Sequence, residues 1–111
     1  MSTIYHLTTQ AEWDASRDTP EHKASSLADE GFIHCSQDQD QMLRVANRLF
    51  TGQPNVIALQ VDTELLTSPL KREPSRSGEV YPHIYGPLNS NAVTGVTTLT
   101  IADDGQFAVE E

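Results

Sequence analysis

Val56-Ile57-Ala58-Leu59-Gln60-Val61 is the most strand-like stretch of the chain, and the fold can be read outward from it. Two β-branched residues open a short apolar run that follows the turn-forming Gly52-Gln53-Pro54. That pattern predicts a strand in the middle of a sheet. It is far short of the ~20 apolar residues needed to span a membrane. Upstream, Met42, Val45, Ala46 and Leu49 recur at three- and four-residue spacing and predict a helix from about Gln37 to Phe50. Ser36, three residues before Gln39, predicts its cap. Phe32 to Cys35 reads as a strand, and Ser25 to Glu30 as a turn or short helix closed by a left-handed Gly31. Thr3 to Thr8 reads as the first strand. Thr9 and Glu12 then have capping-box spacing for a helix anchored by Trp13 and ended by Asp18-Thr19-Pro20.

Downstream, residues 71–78 read as a polar loop and Val80 to Tyr85 as a strand, which Pro82 places at an edge or bulge. Ala92 to Ile101 reads as a long strand, followed by an Asp104-Gly105 hairpin turn and a last strand, Gln106 to Val109. Strands outnumber helices, and the two helices fall in the first half. The expected fold is α+β, one domain over 1–111 with mixed or antiparallel sheets.

At 111 residues the chain is of one-domain size and can bury a core without staples. Cys35 is the only cysteine, so no internal disulfide and no multi-cysteine metal site can form. The start, Met1-Ser2-Thr3-Ile4-Tyr5-His6, lacks the basic and apolar regions of a signal peptide, and a cytoplasmic protein is expected. Seven Lys and Arg against sixteen Asp and Glu leave a net charge of −9. Nucleic-acid binding draws on cations that displace counterions from phosphates, so this balance opposes it and opposes acidic membrane surfaces alike. A small anionic ligand held by local groups remains compatible with it.

Three of the four histidines share one setting, His6-Leu7-Thr8, His34-Cys35-Ser36 and His83-Ile84-Tyr85. Alternate residues of a strand face one side. His6 should therefore share a face with Thr8, His34 with Ser36, and His83 with Tyr81, Tyr85 and Glu79. If the three faces meet, they line a polar cleft. If they do not, each histidine is a sheet residue bonded to a backbone carbonyl. Three histidines with an open position also describe a catalytic zinc site, although no helical His-x-x-x-His spacing favours it. His22 is expected in an exposed loop.

His34 and Cys35 are strand neighbours facing opposite ways, which makes Cys35 an inert buried thiol rather than a nucleophile. Asp40, Arg44 and Arg48 follow at four-residue intervals, either as a solvent-side ion ladder or with one arginine at a ligand phosphate. Lys71, Arg72 and Arg76 make residues 71–78 either a solvated loop or a lid carrying positive charge.

Ile4-Tyr5-His6-Leu7-Thr8, Gly31-Phe32-Ile33-His34-Cys35-Ser36 and Gly78 to Leu88 resemble the signature blocks of the bacterial "domain of unknown function 952" family, over residues 4–97 or so. The resemblance implies a fold similar to ADP-ribosyltransferases. Tyr5-His6-Leu7-Thr8 is similar to a Tyr-His-Gly-Thr strand of the NAD-dependent RNA 2′-phosphotransferases, which helps line their nicotinamide–ribose site. Ile33-His34-Cys35-Ser36 is similar to their Val-His-Leu-Ser block, with Arg48 near the end of the helix that follows. Leu7 replaces their glycine, which opposes close approach of a dinucleotide. Their winged-helix part has no counterpart here, so RNA phosphotransfer is not carried over.

The resemblance implies a small nucleotide-like ligand, NAD or ADP-ribose. His6, Thr8, Ser36, Arg48, Tyr81 and Tyr85 would bind it. His34 and His83 would serve as acid or base, and Glu79 would stabilise an oxocarbenium-like centre. The alternatives are a non-catalytic module for a metabolite or protein partner, and a metal-dependent hydrolase.

Overall fold

The computed structural model describes residues 2–22 and 24–109. The first half contains strand β1 (Thr3–Thr9), helix α1 (Gln10–Ser16), strand β2 (Glu21–His22), helix α2 (Ser25–Glu30), strand β3 (Ile33–His34) and helix α3 (Gln39–Leu49). The second half is strand-rich, with β4 (Val56–Asp62), β5 (Leu70–Pro74), β6 (Val80–Ile84), β7 (Leu88–Asn89), β8 (Val93–Ile101) and β9 (Phe107–Val109). Single 3₁₀ turns at Thr63–Leu65 and Ser90–Ala92 complete it. The architecture is α+β with antiparallel sheets, in the orders β1-β4-β8-β9, β3-β6-β5 and β2-β7. The first half holds three helices rather than two, because Ser25–Glu30 closes a full turn that Gly31 ends at φ +86°.

β4 lies inside the larger sheet, and its apolar run is buried on both faces. Ile57, Leu59 and Val61 pack with Trp13, Ile33 and Ile84 on one side. Val56 and Ala58 pack with Met42 and Ala46 of α3, and with Leu99 and Phe107, on the other. Two clusters thus meet across one strand, and that position requires the continuous run. Among the described residues no helix is long and apolar enough to cross a membrane.

An isolated bridge ties β1 to the segment that follows β3. The Tyr5 N–H donates to the Ser36 carbonyl at 2.9 Å and the Ser36 N–H to the Tyr5 carbonyl at 2.7 Å. This bridge corrects the expected helix start. Ser36 is held as extended backbone, so α3 begins later, with Asp38 as its cap accepting from the Gln41 N–H at 2.8 Å. Asp38→Ala should therefore cost about 1 kcal/mol, a fall of at least about 4 °C in melting temperature for a chain of this size. Ser36→Ala should leave the helix cap intact. Thermal unfolding of the two variants, with α3 followed by amide exchange, decides between the residues.

Three further expectations change. Residues 71–78 are not all loop: residues 71–74 belong to β5, which pairs along β6, and Ser75–Gly78 forms the turn between them. Pro82 is not at an edge but in the central strand of its sheet. It is tolerated because β3 is only two residues long and ends beside it, with the Pro82 carbonyl taking the Cys35 N–H at 3.0 Å. His22 is buried, because β2 pairs with β7 and brings the imidazole against Trp13 and His6.

Candidate functional site

A cavity of about 610 Å³ opens between β1, the segment joining β3 to α3, the last turns of α3, and β6. Its size is that of a small-molecule site. The two-residue alternation of the strands puts the polar groups there. On β1, Ile4, His6 and Thr8 are buried on one face, while Tyr5 and Leu7 pack towards α3. On β6, Pro82 and Ile84 are buried, and Glu79, Tyr81, His83 and Tyr85 share the opposite side. His6, His34 and His83 all line the cavity, together with Thr8, Ser36, Tyr81 and Arg48. Val45, Leu49 and Phe50 of the α3 end form its apolar wall.

The three histidines are held differently. His6 Nδ1–H donates to the His34 carbonyl at 2.8 Å, and its ring meets that of His22 edge-on at 5.5 Å. Burial lowers its pKa to about 4, so it is neutral at pH 7. His22 is lowered too, by burial. His34 gives Nε2–H to Glu30 at 2.5 Å, and His83 gives Nδ1–H to Glu73 at 2.8 Å. The rings of His34 and His83 stand 5.3 Å apart, nearly perpendicular. Phe32 stacks on His83 at 4.1 Å and meets His34 edge-on at 4.8 Å. Glu73 also accepts from the Tyr85 hydroxyl, and the hydrogen bonds from Tyr85 and His83 hold its carboxyl below the usual range. Burial pushes the Cys35 thiol up, which leaves it a core residue without nucleophilic character.

The remaining residues named from sequence divide. Glu79 and Tyr85 are not among the lining residues. Glu79 is taken by Arg44, by Gln41 Nε2 at 3.3 Å and by the Tyr81 hydroxyl at 3.0 Å, and its hydrogen bonds, Arg44 first, lower its pKa. Arg44 therefore spans from α3 to β6, whereas Arg48 makes no ion pair or hydrogen bond among the described residues and faces the cavity. Lys71 lies 5.0 Å over the Tyr85 ring, and Arg72 reaches Ser2 at 3.5 Å.

Sequence reading missed Glu12, which lines the cavity and accepts from the Thr8 hydroxyl at 2.9 Å, and it missed Phe32, Glu30 and Glu73. Phe32 carried a usable signal, being two residues before His34. Glu73 carried none, because its partner is set by the β5–β6 register. Among the described residues no three His, Cys, Asp or Glu side chains are grouped to hold a metal ion.

The family model described as "Protein of unknown function (DUF952)" matches residues 7–96. The chain is similar to the X-ray structure of protein CC0527 from Caulobacter crescentus, at 38% identity and a TM-score of 0.83, covering 96% of this chain and 94% of that one. It is similar also to the solution NMR structure of CC0527, at 36% identity and a TM-score of 0.80, covering 96% and 91%. No curated protein matches.

Proposed function

This chain belongs to the DUF952 family of proteins of unknown function, and we propose that it is a cytoplasmic, single-domain protein of ADP-ribosyltransferase-like fold that binds a small nucleotide-like ligand in the β1–α3–β6 cavity. Arg48 carries the reading. Acids outnumber bases sixteen to seven in this chain, yet this arginine stands at the cavity with no acid paired to it among the described residues. A guanidinium so placed suits a phosphate, which it can grip through two parallel hydrogen bonds. Tyr81 supplies a flat face for a ring, Ser36 a hydroxyl for the sugar, and His34 and His83 ring nitrogens for its polar groups. His6 and Thr8 have donors already committed, to the His34 carbonyl and to Glu12. They shape the wall more than they reach for the ligand. Glu79, tied to Arg44, takes no direct part in binding.

Titration of the labelled protein with ADP-ribose and with NAD should move the amide signals of Ser36, Arg48 and Tyr81. Arg48→Ala should weaken binding about tenfold or more, a loss of about 1.4 kcal/mol, with the melting temperature unchanged because the side chain is exposed. Silence of these signals at millimolar ligand ends the proposal.

A non-catalytic metabolite-binding module is the second reading. The prior commitment of His6 and Thr8 favours it over chemistry at β1. It predicts binding of the same ligands without any product.

A further inference from the structure

We infer that Glu30–His34 and Glu73–His83 are two carboxylate–imidazole pairs that act together as acid and base on a phosphodiester of the bound nucleotide. The inference rests on the nucleotide-binding reading above and adds a reaction to it. Each imidazole gives one N–H to its own carboxylate, at 2.5 Å for His34 and 2.8 Å for His83. That contact sets which nitrogen is left for the ligand, Nδ1 on His34 and Nε2 on His83. Neither of these nitrogens makes a hydrogen bond among the described residues. The rings are 5.3 Å apart, both line the cavity, and Phe32 packs against both. The charged groups around the pair are Glu73 and Lys71 on β5 and Glu30 on α2.

Two imidazoles side by side suit an ester better than an anhydride. An anhydride departs as a phosphate, already a weak base, and gains little from a proton donor. An ester departs as an alkoxide and gains a great deal. His83, the less exposed at 13%, is placed as the base against the attacking water, and His34, at 52%, as the acid that exchanges its proton with solvent. In the step, a water oxygen forms a bond to phosphorus while His83 Nε2 takes its proton. The bond from phosphorus to the leaving sugar oxygen breaks, the electron pair stays on that oxygen, and the protonated His34 gives it a proton from Nδ1. One water is consumed, the products are a phosphate monoester and a free hydroxyl, and a proton passes from His83 to His34 through solvent. Arg48 holds the phosphate throughout. Glu73 touches no substrate and is a positioning residue.

The probe is adenosine 2′,3′-cyclic phosphate, with turnover followed by ³¹P NMR and binding by calorimetry on the His83→Gln variant. The protein should open the ring, and His83→Gln should lower kcat at least about a hundredfold. Glu73→Gln should lower kcat about tenfold, with KM within a few-fold of the original. A merely structural role for Glu73 would instead raise KM or lower the melting temperature without a selective loss of kcat. Binding without turnover overturns the inference and leaves the binding reading standing. Turnover indifferent to both variants overturns the inference as well. Absence of binding to the probe removes the assigned substrate class, and the ADP-ribose titration then decides the broader reading by itself.

Discussion

Acidification from pH 7 to pH 4 should remove about 3 kcal/mol of folding stability through His6 alone. Burial places this imidazole's pKa at about 4 in the fold, against an ordinary value of about 6.5 in the unfolded chain. Between those values the unfolded chain binds the proton and the folded one does not, so stability rises with pH across that window. The contribution is therefore intact above about pH 6.5, declines as pH falls, and levels off below about pH 4. The difference of about 2.5 units, at 1.36 kcal/mol each, sets the magnitude. His22 lies edge-on to His6 and is lowered by burial as well, so it adds loss in the same direction.

The half-buried carboxylates Glu73 and Glu79 act in a different window. Their lowered pKa values give stability that is present above the ordinary carboxylate range and lost only as pH falls below it. Urea unfolding at closely spaced pH values separates the two effects. His6→Gln should be less stable than the parent at pH 7, yet show a shallower slope between pH 6.5 and 4. A parent protein equally stable at pH 4.5 and pH 7 would remove the argument, as would an unchanged slope in the variant.

The second large effect is expected at Gly86, which joins β6 to Pro87. Its φ of +153° is one that residues with a side chain rarely adopt, and a Cβ there would lie 2.5 Å from Ser68 Oγ and 2.9 Å from Ser68 Cβ. Ser68 has little freedom to retreat, because its hydroxyl donates to the Pro87 carbonyl at 2.8 Å. Backbone strain and overlap each cost on the order of 1–3 kcal/mol, so Gly86→Ala should lose about 3 kcal/mol. Gly31 is the control. It has φ +86° with nothing within 4 Å of a Cβ, so Gly31→Ala should cost only about 1 kcal/mol of strain. Adding Ser68→Gly to Gly86→Ala should restore the share due to overlap and leave the share due to φ. Equal losses at Gly31 and Gly86 would show that the Ser68 contact contributes nothing.

The site was legible wherever period-two alternation operates inside one strand. His6 with Thr8, and Tyr81 with His83, share faces as the spacing implies, and all four line the cavity. It was illegible wherever a partner comes from another element. Arg44 and Arg48 are equivalent in sequence, one helical turn apart. The packing of α3 against β6 sends the first to Glu79 and leaves the second at the cavity. Tyr85 lies on the expected face, but β5 arrives beside it with Glu73 and Lys71 and engages both its hydroxyl and its ring. The Ser36 cap failed for the same reason. A Ser-x-x-Gln spacing describes what a helix start could use, and the Tyr5 bridge uses Ser36 first.

By itself the sequence determined the α+β class, most strand positions, the capped starts and stops around Thr9 and Gly31, the inert Cys35 and the shared faces of the histidine strands. These depend on propensities and periods that act within about ten residues. Only the tertiary structure decided that His22 is buried, that residues 71–74 are a strand, and that Glu30 and Glu73 hold the His34 and His83 imidazoles at the cavity. Burial and charge pairing depend on which distant segments meet, and the register of β2 with β7 and of β5 with β6 sets that.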